Sequence, residues 1–341
     1  MCAMTDEAGK IAIVTHMHPD GDAIGSSVGL LLYLQSAGKE TRLVLNDNCP
    51  ESLAFLTSGL EDRIISYEVS HEKALEAIRE SDLIFCLDMN SFGRAENLED
   101  ALRRASCPKI LIDHHLSPDI GCFDLVFSET AISSTSEFVY HILTGTPSVG
   151  GDPGKLPVKG AEALLAGMTT DTNNFANSVF PSTFRMASEL LAAGIDRDAV
   201  LGSLYLNFRE NRFRLMGKLL SDNMVITPEG TAYMIIDKDM ARKYDIKEGE
   251  TDGFVNAPLG IKNVRMSFLL KEEDEKFRVS IRSKKGVSAN KCSAMYFNGG
   301  GHELAAGGKL YKGKDIPGGT VAEAAGYIEK HTREFLSGSI G

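Results

Sequence analysis

Basic residues are scarce in this sequence. Its 36 lysines and arginines stand against 47 aspartates and glutamates, which gives a formal net charge of −11. Binding to long nucleic acids rests on many Lys and Arg side chains that neutralise phosphates, so this balance argues against such a partner. A short anionic substrate is compatible with this net charge if a few basic residues cluster at the binding site. We therefore expect no long duplex nucleic acid as a partner.

Long apolar runs and paired cysteines are also missing. No segment reaches the roughly 18 apolar residues that a membrane-spanning helix needs, and the N-terminal MCAMTDEAGK lacks the pattern of a secretory signal. The six cysteines form no C-x-x-C pair, which predicts buried, reduced thiols. These features predict a cytoplasmic protein without a membrane partner.

The order of the apolar segments predicts an α/β protein with two domains. At 341 residues the chain is too long for one compact core of ordinary size. In the first part, short apolar strands alternate with helical patterns, which is typical of a parallel, Rossmann-like sheet. Later strand pairs separated by turns predict a smaller α+β domain. We predict a catalytic domain over residues 1–195, a helical connector over 196–221 and a second domain over 222–341.

Three predicted strands, IAIVTH, LIFCLD and KILIDHH, end in side chains that can bind a cation. In an open parallel sheet the binding site lies outside the carboxyl ends of the strands, so separate strand ends converge on one place. The candidates at or just after these ends are His16, Asp20, Asp22, Asp88, Asp113, His114 and His115. We therefore expect a cation site at this edge of the sheet.

The segment from His16 to Asp22 has two interpretations, a polar turn with an aspartate helix cap or a metal site. Asp20 and Asp22 in one tight loop would repel each other, and carboxylates so close need a cation or a proton between them. One imidazole with two carboxylates suits manganese or a similar divalent ion better than a structural zinc site.

The other candidates also have simpler interpretations when each is taken alone. A lone acidic residue after a strand, such as Asp88, is more often a turn former. Asp171, in GMTTDTNNF, lies near the predicted end of a helix, where an aspartate opposes the helix dipole and requires compensation. Two adjacent histidines point in different directions, so one can bind a metal while the other faces the substrate. Together the candidates suffice for two metal ions that share a carboxylate: His16, Asp20, Asp22, Asp88, His114 and Asp171.

A second candidate site lies in the second predicted domain, in the segments IRSK and GGGH. A glycine run by itself is commonly a strained turn between a helix and a strand. Without side chains, however, it lets a ligand approach the backbone N–H groups, and Arg282 and His302 can hold phosphate oxygens. These segments predict an anion-binding site.

Six segments in this order resemble the DHH phosphoesterases that carry a DHH-associated C-terminal domain, most closely their NrnA-like group of oligoribonucleases and pAp phosphatases. The segments are HMHPDGDAIGS, FCLD, IDHH, TTDT, SIRSK and GGGHELAAG, and the resemblance spans almost the whole chain. It implies two divalent ions, manganese first, with magnesium or cobalt as alternatives. It also implies a ligand set: one ion held by His16 and Asp20, the other by Asp22, His114 and Asp171, and Asp88 as the bridge.

The resemblance implies further roles for residues near the metals and in the second domain. The reaction would depend on Asp88, on His115 as a contact to the substrate phosphate, and on Asp113 as a support for the histidines. The C-terminal substrate-binding residues that it implies are Arg282, Ser283, Gly300, Gly301 and His302.

The resemblance implies a hydrolase that degrades short oligoribonucleotides (nanoRNA), including linear dinucleotides, to mononucleotides through a hydroxide shared by two metals. It also implies dephosphorylation of adenosine 3′,5′-bisphosphate (pAp) to AMP. A RecJ-like single-strand exonuclease is the first alternative, although the chain is short and acidic. An inorganic pyrophosphatase shares the four N-terminal motifs but resembles the chain poorly after residue 222. A non-catalytic nucleotide-binding regulator would be expected to lack ligands, and none is missing. The oligomeric state is left open, with a dimer among the options.

Overall fold

The computed structural model describes residues 1–247 and 249–338, which form two compact units. The first covers Met1–Asn207 and the second begins at Phe208. The strands of the first unit are β1 (Lys10–Thr15), β2 (Glu40–Leu45), β3 (Ile64–Ser66), β4 (Leu83–Leu87), β5 (Lys109–Asp113) and β6 (Leu125–Ser128). Its α-helices are α1 (Cys2–Glu7), α2 (Gly21–Ser36), α3 (Ala54–Thr57), α4 (His71–Arg79), α5 (Glu99–Arg104), α6 (Thr135–Thr144), α7 (Val158–Asp171), α8 (Pro181–Ala192) and α9 (Arg197–Tyr205).

The six strands of the first unit form one parallel sheet in the order β3-β2-β1-β4-β5-β6. Strand β1 lies in the middle, with Val14 opposite Val44 of β2 on one side and Cys86 of β4 on the other. The strand order reverses between β1 and β4, and in such sheets ligands bind in the crevice outside the carboxyl ends at this reversal. The predicted parallel, Rossmann-like sheet is confirmed.

Helices cover both faces of this sheet, which explains why its strands are almost entirely apolar. Successive residues of a strand point to opposite faces. Ile11 and Ile13 of β1 therefore pack with apolar residues of α2, α6 and α7, whereas Ala12 and Val14 pack with those of α4 and α5. The fully buried core of this unit thus lies in two layers, one on each side of the sheet.

Glycines bring the helices α2, α6 and α7 close together near the carboxyl edge of the sheet. A Cβ atom added at Gly25 of α2 would lie 2.5 Å from the Ala163 carbonyl oxygen of α7. A Cβ atom added at Gly167 of α7 would collide with the Ser136 side chain of α6 and lie 3.1 Å from Asp22 Oδ1. Larger residues would push these helices apart, so the glycines fix the spacing of the segments that carry Asp22 and Ser136.

The second unit contains a mixed sheet in the order β11-β12-β10-β9-β8-β7, in which β8 and β9 are parallel and the other pairs antiparallel. Its strands are β7 (Val225–Ile226), β8 (Thr231–Ile236), β9 (Met266–Glu272), β10 (Lys276–Ser283), β11 (Gly300–Gly301) and β12 (Ala305–Tyr311). Its α-helices are α10 (Glu210–Lys218), α11 (Lys238–Lys243), α12 (Ala289–Tyr296) and α13 (Val321–Gly338). One face packs on α12 and α13, and the other on Leu215 of α10. The predicted α+β fold of this part is confirmed.

The segment predicted as a connector, residues 196–221, contains α9 and α10. Residues 206–209 between them are not helical, and the two compact units divide at Asn207 and Phe208. The predicted domain bounds at residues 195 and 222 stay a prediction.

All six cysteines are free thiols. Cys86 and Cys292 are buried, but Cys2 is exposed in the short helix α1. The prediction of buried thiols is therefore wrong for Cys2, because α1 has no buried residue and leaves this side chain exposed.

None of the helices in the described residues combines the length and the apolar character that crossing a membrane requires.

Candidate metal centre

The six predicted metal ligands come from five segments of the first unit and meet at the carboxyl edge of its sheet. Three follow strands and three lie at helix ends: His16, Asp88 and His114 come directly after β1, β4 and β5, and Asp20, Asp22 and Asp171 lie at the start of α2 and the end of α7. Their donor atoms form two groups, in each of which the atoms lie within 4.8 Å of one another. The fold therefore brings together side chains that are up to 155 positions apart in sequence (171 − 16).

The first group consists of His16, Asp20 and Asp88. His16 Nε2 lies 3.4 Å from Asp88 Oδ2 and 3.9 Å from Asp20 Oδ1. His16 Nδ1 donates a hydrogen bond of 2.8 Å to the Met17 carbonyl oxygen, which can only accept, so in the neutral ring the Nε2 lone pair faces the two carboxylates. A lone pair directed at two anions requires a cation or a proton between them, and this donor set fits a divalent cation.

The second group consists of Asp22, His114 and Asp171. His114 Nε2 lies 3.4 Å from Asp171 Oδ2 and 3.7 Å from Asp22 Oδ2. Asp171 is the last residue of α7, where a carboxylate opposes the helix dipole. The negative charge of Asp171 at this helix end can therefore be compensated by His114 and by any cation held beside it.

Asp88 belongs to the first group and also faces His114 of the second group, through its two carboxylate oxygens. Oδ2 faces His16, and Oδ1 lies 3.6 Å from His114 Nε2. The backbone of Asp88 is in the left-handed region, with φ of 57°, which is uncommon for residues other than glycine. This conformation turns the chain sharply at the end of β4 and leaves the buried carboxylate between the two imidazoles.

The buried carboxylates perturb one another's protonation. Burial and the neighbouring charges of Asp88 and Asp171 raise the pKa of Asp22 well above its ordinary value. Burial also acts to raise the pKa of Asp88, but its interactions with the imidazoles of His16, His115 and His114 outweigh burial and hold that pKa well below its usual range. Crowded carboxylates of this kind are stabilised together by divalent cations, so the electrostatics fit a metal centre.

The first turn of α6 holds two of the carboxylates. The backbone N–H groups of Thr135 and Ser136 donate to Asp22 Oδ2 and Oδ1, at 2.7 and 2.8 Å, and the Thr135 hydroxyl donates to Asp88 Oδ1 at 3.0 Å. None of the sequence motifs pointed to these contacts. The available signal was the free N–H groups of a helix N-terminus, which bind anions.

His115 is held between Asp113 and Arg94, directly beside the six ligands, since its Nδ1 lies 3.6 Å from Asp88 Oδ1. His115 Nδ1 donates to Asp113 Oδ1 at 2.7 Å, and Arg94 Nη1 donates to His115 Nε2 at 2.9 Å. Burial is the main cause that lowers the pKa of His115, so the ring is held neutral. Arg94 was also missed by the sequence analysis, since a single arginine in SFGRAEN carries no pattern.

The candidate residues of the second unit lie on either side of one end of β12. Arg282 of β10 pairs with Ala305, and Gly301 of β11 pairs with Ala306. At Gly301 a Cβ atom would lie 2.6 Å from the Ala305 carbonyl oxygen, and φ is 148°, so a side chain is excluded there.

Ser283 and His302 stand at the same end of this sheet. The hydroxyl of the buried Ser283 donates to the Val287 carbonyl oxygen at 2.6 Å, so its proton is already used within the fold. The His302 backbone N–H donates to the Ala305 carbonyl oxygen at 2.7 Å, which closes the turn after Gly301. Substrate contacts by the residues of this unit stay a prediction.

A parallel α/β sheet with clustered imidazoles and carboxylates at its strand-order reversal has the place and the ligands that metal-dependent hydrolases use. The chain belongs to the DHH family and is a phosphoesterase. Residues 10–168 match the DHH family, N-terminal domain, and residues 231–329 match the DHHA1 domain.

Known proteins are similar to the chain over most of its length. It is 30% identical to the bifunctional oligoribonuclease and PAP phosphatase NrnA of Bacillus subtilis, over 88% of this chain and 89% of that protein. It is 31% identical to the NrnA of Thermus thermophilus, over 90% of this chain and 86% of that protein. A solved exopolyphosphatase-related protein from Bacteroides fragilis is 35% identical, with a TM-score of 0.88, over 100% of this chain and 96% of that chain. The family resemblance stated from the motifs is confirmed.

Proposed function

We propose that the protein hydrolyses short oligoribonucleotides to mononucleotides and removes the 3′-phosphate of pAp, with two divalent metal ions, manganese first. The names of the NrnA relatives support the substrates. The observation that carries the two-metal mechanism is Asp88, whose two oxygens face His16 and His114 separately. In this proposal Asp88 is the bridge, His16 and Asp20 hold one ion, and Asp22, His114 and Asp171 hold the other.

Two divalent cations in these positions would supply a water activated for attack on phosphorus and would neutralise the phosphate charge. The residues of the chain set the geometry for that attack. Asp88 fixes the separation of the two groups of ligands, and the N–H groups of α6 hold the Asp22 carboxylate in a fixed orientation.

Arg94 and His115 would receive the substrate phosphate, and Asp113 would support His115. Asp113 fixes the orientation of the His115 ring through Nδ1, and Arg94 occupies Nε2 with one of its five N–H groups. The remaining donors of Arg94 can hold phosphate oxygens beside His115, where negative charge develops during the reaction. The predicted role of His115 as a phosphate contact is therefore proposed to be shared with Arg94.

The second unit would bind the rest of the substrate. Arg282 offers a planar, charged donor group, and the backbone of Gly300 and Gly301 is open to a close approach. Because the protein is acidic overall, with a net charge of −11, we propose that binding depends on a few such contacts and favours roughly two to five nucleotides over a long strand.

A substrate panel at limiting enzyme tests this function. Metal-free protein would be supplied with manganese, magnesium or cobalt and assayed on pAp, a 5′-phosphorylated dinucleotide and trinucleotide, linear di-AMP, a 30-mer and pyrophosphate. We expect metal-dependent release of mononucleotides from the short substrates and AMP from pAp. Equal rates on the 30-mer and the trinucleotide would favour a RecJ-like exonuclease instead. Hydrolysis of pyrophosphate alone would favour a pyrophosphatase, and no hydrolysis at all would favour a non-catalytic regulator.

A further inference from the structure

A pair of stacked aromatic rings, one half-buried and one exposed, follows the metal centre in the chain. The rings of Phe175 and Phe184 are nearly parallel, with centroids 5.3 Å apart and an interplanar angle of 19°. Phe175 packs partly against the core of the first unit, whereas Phe184, in the first turn of α8, is 54% exposed. A large aromatic ring that is backed by a second ring and open on its outer side is a surface on which another planar group can stack.

The loop that carries Phe175 is held in a strained conformation. Asn173, Asn174 and Phe175 all have positive φ values, of 47°, 54° and 66°. Asparagine tolerates this region, but a bulky aromatic residue there is an outlier that persists only when its surroundings enforce it. The Phe175 backbone N–H donates to Thr172 Oγ1 at 3.1 Å, and Arg197 of α9 supports the loop, since its Nη2 donates to Asn174 Oδ1 at 2.8 Å and its guanidinium lies over the Phe175 ring at 5.9 Å.

Both rings are tied to the metal centre through short connections. Phe175 follows Asp171 by four residues, so their Cα atoms are at most about 14 Å apart, which lies within the span of a short oligonucleotide. Phe184 follows Thr183, whose hydroxyl donates to Glu137 at 2.8 Å. Glu137 lies in the same first turn of α6 as Thr135, which holds Asp22 and Asp88. Both rings of the stack are thus connected to the metal centre, Phe175 through Asp171 and Phe184 through the first turn of α6.

We propose that the Phe175–Phe184 pair is a stacking platform for a nucleobase of the substrate. The exposed face of Phe184 stacks on a base while the adjoining phosphate lies at the metal centre, and Arg197 and the strained loop hold the inner ring in place. Every nucleobase has a planar face, so this contact binds purines and pyrimidines alike, without selecting a sequence. This inference rests on the proposed function, because it assigns a base contact to the same phosphoesterase site.

Equilibrium binding separates the platform from catalysis. The affinities of AMP and ribose 5-phosphate would be measured by calorimetry on wild-type protein and on Phe184→Ala, Phe184→Leu and Phe184→Tyr variants. We expect wild type to bind AMP about 5- to 150-fold more tightly than ribose 5-phosphate, in keeping with the usual contribution of one stacked base. Phe184→Ala and Phe184→Leu should lose most of this preference, and Phe184→Tyr should keep it. Leu191→Ala is the matched control, since Leu191 is an apolar side chain on the same helix that is 48% exposed.

Kinetics on a trinucleotide then connects the platform with turnover. Phe184→Ala should lower kcat/KM by a similar factor on the intact trinucleotide. Three further trinucleotides, each lacking a different one of the three bases, would also be assayed. On the one that lacks the stacked base, Phe184→Ala should lower kcat/KM only a little. If Phe184→Ala keeps the wild-type preference for AMP, the platform proposal is overturned. A change of oligomeric state in that variant would also overturn it, because the exposed ring of Phe184 would then contact a second protein chain. Wild-type protein that prefers AMP but hydrolyses no oligonucleotide would overturn the proposed function and leave the platform supported.

Discussion

At the scale of single residues, Asp88 joins the two groups of ligands, and its environment commits it to the charged form. Its Oδ1 accepts the Thr135 hydroxyl at 3.0 Å and also faces His114, while its Oδ2 faces His16. The nearby imidazoles hold its pKa well below the ordinary range in spite of burial. A neutral side chain of the same shape would retain the hydrogen bond from Thr135 but lose the charge.

Asp88→Asn should therefore abolish turnover while leaving the fold intact. We expect kcat/KM on a trinucleotide to fall by more than roughly 100-fold, because changes to the partners of metal ligands alone cost 10- to 100-fold. Bound manganese should fall as well, and the far-ultraviolet circular dichroism spectrum of the metal-free protein should be unchanged. Asp100→Asn, on the solvent-exposed face of α5, is the control. Near wild-type activity in Asp88→Asn would contradict the shared-carboxylate site.

Arg94 is expected to act through His115 and the phosphate. Arg94→Ala removes the donor that lies 2.9 Å from His115 Nε2 and should lower kcat/KM by about 10- to 150-fold, as for the loss of a charged hydrogen bond. Arg94→Lys should recover part of that loss, and manganese content should be unchanged in both variants. The exposed Arg104→Ala on α5 is the control. A loss of bound manganese in Arg94→Ala would show that Arg94 supports the ligands instead.

The residues that sequence reasoning found and missed differ in how they act. His16, Asp88 and His114 were predictable because each follows an apolar strand directly, and parallel strands end at one edge of a sheet. Asp22 is held by the backbone N–H groups of Thr135 and Ser136, which any residue type provides, so this contact leaves no sequence signal. Arg94 reaches the site along a flexible side chain from a loop whose path the sequence does not specify.

At the scale of elements, the first turn of α6 is built around a buried charge. Glu137 is fully buried and accepts hydrogen bonds from the Ser133 hydroxyl and from Thr183, and His141 Nε2 lies 3.4 Å from its Oε1. Burial acts to raise its pKa, but these groups outweigh burial and lower the pKa from 4.5 to about 2. The charged form of Glu137 thus fastens the turn that holds Asp22.

Glu137→Gln should destabilise the fold in a pH-dependent manner. The shift from 4.5 to about 2 corresponds to about 3 kcal/mol of folding free energy. Because the folded pKa is depressed, this stabilisation is fully present above pH 4.5 and is lost as pH falls toward 2. Urea unfolding at several pH values should show a loss of about 3 kcal/mol at pH 7 that narrows below pH 4.5. The exposed Glu72→Gln on α4 is the control, and a difference that stays constant with pH would contradict this role.

The order of strands and helices could be predicted from the sequence better than the places where a helix breaks or the backbone turns. The alternation of strands and helices predicted a parallel sheet. Strands and helices can be told apart in the sequence by the spacing of their apolar residues and by their length. The break at residues 206–209 between α9 and α10 has neither a glycine nor a proline, so no local signal marked it. The positive φ of Asp88 is imposed by its buried surroundings, which local propensity does not encode.

At the scale of the whole molecule, the two units are proposed to divide the work. Every proposed metal ligand lies at or before Asp171, whereas Arg282 and the glycine run lie in the second unit. Substitutions in the two units should therefore fail in different ways.

Arg282→Ala should weaken substrate binding without affecting the metals. The loss of a charged phosphate contact predicts about a 10- to 150-fold fall in kcat/KM on a trinucleotide, with manganese content unchanged. His16→Ala should lower both activity and bound manganese. An Arg282→Ala protein that hydrolyses the trinucleotide normally, or that loses its metals, would show that the second unit does not bind the substrate through this residue.

The central claim, a phosphoesterase with two metal ions that share Asp88, is tested most directly by titrating metal-free protein with manganese during hydrolysis of a 5′-phosphorylated trinucleotide. With protein well above the dissociation constants of both sites, activity should be absent without metal and should rise to its maximum near two equivalents of manganese per chain. A maximum at one equivalent, or hydrolysis that continues after complete chelation, would contradict the account.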